Sequence, residues 1–257
     1  MQRYFLRLIF TLLISLFTIK TWAQHLPNKQ TKSILISSPI KIDGSYKDWT
    51  MGFKAYNNST SLFYSVAHDR ENFYMILKAT KSAIYGKIIG GTMTLSFKDF
   101  SDKKKHFEIY YPLVGYADRP KISMLVVDTP KKSLAFINQY VLSKCDEIKV
   151  LGCEAIPDSL ISIYNEYGIK AAAGFDENSA FILEYSIPLK YLTKLKNGIE
   201  LNYNVRVNPI PIKTNRKGPE TEKTLILRQI MIDKMGTAYL DSISPTDFSG
   251  TYLISNQ

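Results

Sequence analysis

The sequence predicts an all-β chain, an antiparallel β-sandwich of about ten strands with one or two short helices. Three observations lead to that class. Runs rich in β-branched and aromatic residues, bounded by Gly, Pro, Asn, Asp and Ser, recur along the chain. Leu201 to Val207 alternates apolar and polar side chains, as a strand wet on one face does. Clear helical spacing is confined to one longer stretch, where Leu134, Ile137, Val141 and Cys145 fall on one face.

The elements follow in order. Ile40-Lys41-Ile42 is a short β-like run entering an Asp43-Gly44 turn, in which aspartate bonds nearby N–H groups and glycine accepts positive φ. Leu62–Ala67 and Phe73–Ala79 flank His68-Asp69-Arg70-Glu71-Asn72, a polar insert of hairpin length. A short helical or turn piece around Ser82 to Ile89 ends at Gly90-Gly91. Thr92–Phe97 and His106–Tyr111 then read as strands around a polar loop, with Lys103-Lys104-Lys105 at its tip. Residues 132–145 form the expected helix, with Ser133 as its N-cap. Strands resume at 147–151, 160–164, 169–175 and 181–187, and a helical turn or two follows over 189–195. After Leu201–Val207, residues 209–223 read as a long polar loop, 224–232 as a late strand, and 250–254 as the closing one.

The N-terminus reads as an export signal. Residues 1–7 carry two arginines, 8–17 are almost wholly apolar, and Thr21-Trp22-Ala23 supplies small residues for cleavage. The apolar run stops at Lys20, short of the roughly 20 residues a membrane span needs. The expected organisation is a signal peptide over 1–23 and a single sandwich domain over 24–257, with its core at about 34–254. Localisation would be periplasm, outer surface or secreted. No later stretch could cross a membrane. Losing 1–23 lowers the net charge from +10 to +7. That mild basicity suits an anionic polysaccharide or an envelope surface, while the absence of a basic-aromatic cluster argues against nucleic acid. Cys145 and Cys153 could close a disulfide in an oxidising compartment or remain two buried thiols. The three histidines have no metal-ligand spacing.

Three motifs, taken together, resemble family 9 carbohydrate-binding-module-like (DOMON-like) domains of the secreted bacterial type. They are "IKIDGSYKDW" at 40–49, "VAHDRENFYMIL" at 66–77 and "FILEYSIPLKYL" at 181–192. The matching signature positions are Ile42, Asp43, Gly44 and Trp49, then Asp69, Asn72, Phe73 and Tyr74, then Glu184, Ile187, Pro188 and Leu189. The resemblance implies a non-catalytic β-sandwich, often sugar-binding and sometimes holding structural calcium, with these positions largely architectural.

Beside the resemblance stand the readings of single residues. Asp43, with Asp48 or Asp69, is a candidate calcium site on the chemistry of hard carboxylate oxygens, and a turn-stabilising role for Asp43 is the plainer one. No other cofactor is expected. Trp49 is expected to be core, its indole covering one end of the sandwich. Glu184 is expected on a strand, bonding a neighbouring backbone or basic group. Among 17 tyrosines, Tyr46, Tyr56, Tyr85 and Tyr116 fall near loops and are the candidate sugar-stacking residues. No nucleophile elbow, His-Glu-x-x-His or phosphate loop is present. The function these features favour is an exported, non-catalytic carbohydrate-binding module. The alternative is a structural or protein-interaction protein of the cell envelope, and a small hydrolase comes third.

Overall fold

The computed structural model describes residues 26–98, 106–122, 134–192, 200–211, 226, 229–230, 232–234 and 236–254. The export signal, the Lys103–Lys105 tip, Ser133 and most of the loop at 209–223 lie outside them.

Two antiparallel sheets face each other. The five-stranded sheet contains β1 (Ala55–Asn57), β2 (Leu62–His68), β3 (Asn72–Ala79), β8 (Lys170–Phe175) and β9 (Phe181–Pro188), in the order β1-β2-β3-β9-β8. The six-stranded sheet contains β4 (Met93–Lys98), β5 (His106–Tyr111), β6 (Glu147–Leu151), β7 (Leu160–Ser162), β10 (Glu200–Val207) and β11 (Thr246–Leu253), in the order β11-β10-β4-β5-β6-β7. Among the described residues the helices include α1 (Ser82–Gly91), α2 (Leu134–Leu142), α3 (Leu189–Leu192) and α4 (Thr237–Ile243). The expected β-sandwich is what forms.

The two sheets differ in a way their sequences explain. Strands β5 and β10 alternate strictly, burying Phe107, Ile109 and Tyr111, and Leu201, Tyr203, Val205 and Val207. Their other face is polar and more open. Strands β3 and β9 are buried nearly end to end; β9 carries Glu184 and Ser186 on its outer face, whereas β3 reads as a continuous apolar run from Phe73 to Leu77. A strand needs that composition only when both its faces are covered. The inner face packs into the inter-sheet core, where Phe73 meets Phe97 edge to face at 5.1 Å. The outer face is covered by the chain before β1. Ile40 and Trp49 join Ala67, Tyr74, Ile76 and Ile182 in a second apolar cluster, with Ile34, Ile36, Ile42 and Phe53 packed around it.

Both edges of the five-stranded sheet are closed by side chains and short pairings rather than by long strands. On β2, β1 pairs with Leu62 to Tyr64. Next along, the Gln30 side-chain amide bonds Val66 N–H and C=O, both at 2.8 Å. Ile36 N–H and the Ile34 carbonyl then pair with His68. On the opposite edge, the Asn138 amide of α2 accepts from Phe175 N–H at 2.7 Å and donates to Phe175 C=O at 2.9 Å. Each amide stands in for one rung of a ladder, which leaves less exposed edge for another strand to use.

Two expectations need correction. The stretch expected as a late strand is helical at residues 226, 229–230 and 232–234. Gln229 donates to Asp233 at 2.8 Å, the i,i+4 contact of neighbouring helical turns, and Gly236 N–H bonds Ile232 C=O. Its apolar residues Ile226 and Ile230 also lie four apart, and both are exposed. Trp49 is core as expected, at 4 % exposure, but it lies against the outer face of the five-stranded sheet rather than at one end of the sandwich.

Candidate functional site

The three motifs converge on that outer face. Glu184 projects outward from the middle of β9 and is 0 % exposed. Its Oε2 accepts from the N–H groups of Asp43 (3.0 Å), Gly44 (2.7 Å) and Ser45 (3.2 Å). Its Oε1 accepts from Trp49 Nε1 at 2.6 Å. Burial pushes the carboxyl up to about 7, against the pull of these donors. Gly44 is required here. Its φ is +80°, and a Cβ would lie 2.7 Å from the Ala173 carbonyl of β8.

The second and third motifs meet on paired strands. Asn72 faces Pro188 in the β3–β9 register, and Leu189 N–H bonds Glu71 C=O at 2.7 Å. Asp69 accepts from Glu71 N–H, Asn72 N–H and the Tyr74 hydroxyl at 2.6–2.8 Å. Burial would raise its carboxyl, but these donors outweigh burial and hold it below the usual range. Phe73 and Ile187 face the inter-sheet core, and Ile42 packs on the outer cluster. The signature positions therefore build the fold.

The candidate calcium ligands are not brought together. Asp43 pairs with Lys41 at 2.9 Å and caps Ser45 N–H, Asp48 is exposed, and Asp69 closes the β2–β3 turn. Among the described residues no three His, Cys, Asp or Glu side chains are grouped to hold a metal ion. Cys145 and Cys153 are free thiols, the first buried and pushed up to about 12 by that burial, the second half-buried.

An aromatic patch lies beside the Trp49 cover. The register places Tyr56, Phe63 and Lys78 in one row across β1, β2 and β3. Tyr56 and Phe63 lie 4.6 Å apart between ring centroids, and Phe53 meets Phe63 edge to face at 6.1 Å. The Lys78 ammonium sits 5.2 Å from the Tyr46 ring and 5.9 Å from the Phe53 ring, and bonds Asp176 at 2.6 Å. The Tyr46 hydroxyl donates to Glu177, which lowers that carboxyl and raises the phenol. All four rings are half-buried. Between Tyr46 and Phe53 opens a depression of about 340 Å³, lined also by Trp49, Ile76 and Lys78. It offers ring faces and one ammonium, with the Glu177 carboxylate beside Tyr46, a set suited to stacking and hydrogen bonding.

Of the four candidate tyrosines, the structure joins Tyr46 and Tyr56 through Phe53 and Phe63. Tyr85 packs from α1 against Phe175 of the core, at 5.4 Å. Tyr116 is exposed and meets Arg119 rather than the other three. Sequence reasoning missed Phe53, Phe63, Lys78, Asp176 and Glu177. The hairpin itself held part of the signal: pairing β2 with β3 around the Asp69–Asn72 turn puts Phe63 opposite Lys78.

No family model and no curated protein matches the chain. It is similar to two solved structures of carbohydrate binding module family 9 from Caldicellulosiruptor kristjanssonii. The one in complex with glucose is 10 % identical with a TM-score of 0.39, covering 88 % of this chain and 97 % of its own. The one in complex with cellotriose is 12 % identical with a TM-score of 0.31, covering 69 % and 76 %.

Proposed function

We propose that this protein is an exported, non-catalytic carbohydrate-binding module whose ligand lies on the aromatic patch of Tyr46, Phe53, Phe63 and Tyr56. The observation that carries this reading is the patch itself: four half-buried rings, two of which, Tyr46 and Phe53, line an open depression together with Lys78, beside Glu177. The C–H face of a pyranose packs on ring faces, and its hydroxyls need donors and acceptors at their border. The absence of catalysis is supported by where Glu184 and Asp69 lie. Both carboxylates are committed to backbone and side-chain donors, and Glu184 is sealed from solvent.

Titration calorimetry with neutral oligosaccharides, glucose and cellotriose among them, tests the reading. Binding in the micromolar to millimolar range is expected. Tyr46→Ala and Phe53→Ala should each weaken it by about tenfold, the worth of one stacked ring. No heat with any poly- or oligosaccharide at millimolar concentration would refute the proposal. Recovery of one stable envelope partner instead would favour a protein-interaction role.

A further inference from the structure

Tyr116 belongs to a second constellation, which shares no residue with the aromatic patch. After β5 the chain makes a turn at 115–118, closed by Asp118 N–H to Gly115 C=O, and enters one helical turn at 119–122. Asp118 is its hub. It accepts from the Tyr140 hydroxyl of α2 at 3.2 Å, and Lys144 and Lys121 stand 3.6 and 4.0 Å from it. The Arg119 guanidinium lies 5.8 Å from the centroid of the Tyr116 ring, its Nε donating to Val114 C=O. Lys144 stands 5.8 Å from the Tyr140 ring. Tyr116 is 61 % exposed, and Phe136, one helical turn before Tyr140, is 51 % exposed.

We infer that this surface is a separate binding site for an anionic saccharide, one bearing a carboxylate or a sulfate on its ring. Two cations, Lys121 and Lys144, share a single carboxylate here, and both separations exceed hydrogen-bond length, so their ammonium groups can turn toward a ligand. Contacts of that kind at a wet surface hold little free energy and are readily exchanged. Beside them stand exposed rings. An acidic pyranose presents the same pairing from the other side, an apolar C–H face with a fixed anion about a ring's width away. The overall positive charge of the chain brings such a ligand in. Neutral sugars carry no charge to pair with these cations, so the ligand class differs from that proposed for the aromatic patch.

The test uses the mature chain with three probes: a galacturonate trimer, a sulfated oligosaccharide and neutral cellotriose. The anionic probes should bind, with affinity falling as salt rises from about 50 to 200 mM. Lys121→Glu combined with Lys144→Glu should lower that affinity by at least about tenfold, and Tyr116→Ala should lower it as well. Cellotriose binding should be unchanged in these variants, whose altered side chains all lie at the surface, so failure of the two sites is read in separate arms. The two anionic probes distinguish carboxylate from sulfate as the preferred group. Anionic probes that do not bind, or that bind the variants equally well, overturn the inference. So does binding to phosphatidylglycerol vesicles without binding to either oligosaccharide.

Discussion

Glu184 is a carboxylate that has traded all its water for four N–H donors. The consequence can be read in pH. With its ordinary value at 4.5 and the folded value raised to about 7, the folded chain keeps a proton across this window that the unfolded chain has lost. Stability therefore falls as pH rises from about 4.5 to about 7, by up to about 3 kcal/mol, and levels off above. Chemical denaturation at a series of pH values should show this slope, and Glu184→Gln should remove it. That variant also turns an amide N–H₂ toward N–H donors and should cost about 2–3 kcal/mol at acid pH, where the wild type is most stable. Gly44 sets a steric limit on the same contact. Gly44→Ala combines a positive φ with a Cβ 2.7 Å from the Ala173 carbonyl, and should lower stability by about 3 kcal/mol in thermal melts.

At the scale of elements, the strand pattern was legible because burial writes itself into composition. The alternation of β10 and the continuous apolar run of β3 each stated how many of their faces are covered. What covers β9 was not legible, since the contact between the 43–45 turn and Glu184 spans about 140 positions and leaves no local pattern. Trp49 was recognisable as core, but the sheet face it meets is set by that same distant contact. The stretch after 224 misled for a different reason. A short apolar run satisfies strand and helix templates alike, and the Gln229–Asp233 pair that decides for helix looks unremarkable in a polar context. The candidate site was half-legible: two of its tyrosines stood out, whereas Phe53 and Phe63 looked like ordinary strand residues. Helix α2 has a role its spacing did not disclose, for Asn138 closes the β8 edge. Asn138→Ala should cost about 1–2 kcal/mol and expose an unpaired rung at Phe175. Sedimentation of the variant should reveal concentration-dependent association that the wild type lacks.

For the whole molecule, the segment before β1 acts as a strap over a sheet assembled from both halves of the chain. Ile34 N–H bonds the Tyr252 hydroxyl at 2.9 Å, across 218 positions, and the same hydroxyl contacts His68 at 2.8 Å. Cutting the chain before β11 should therefore loosen the far end as well. Hydrogen exchange on such a truncation should show lost protection at Ile36 and His68, and unchanged protection there would refute the coupling. The order of synthesis gives this closure a further meaning. The strap is made first, yet its anchor at Glu184 emerges about 140 residues later and its Tyr252 clasp later still. In the order of synthesis, then, the outer face of the five-stranded sheet closes late: it stays open at least until β9 has been made, although the strap that covers it was there from the start.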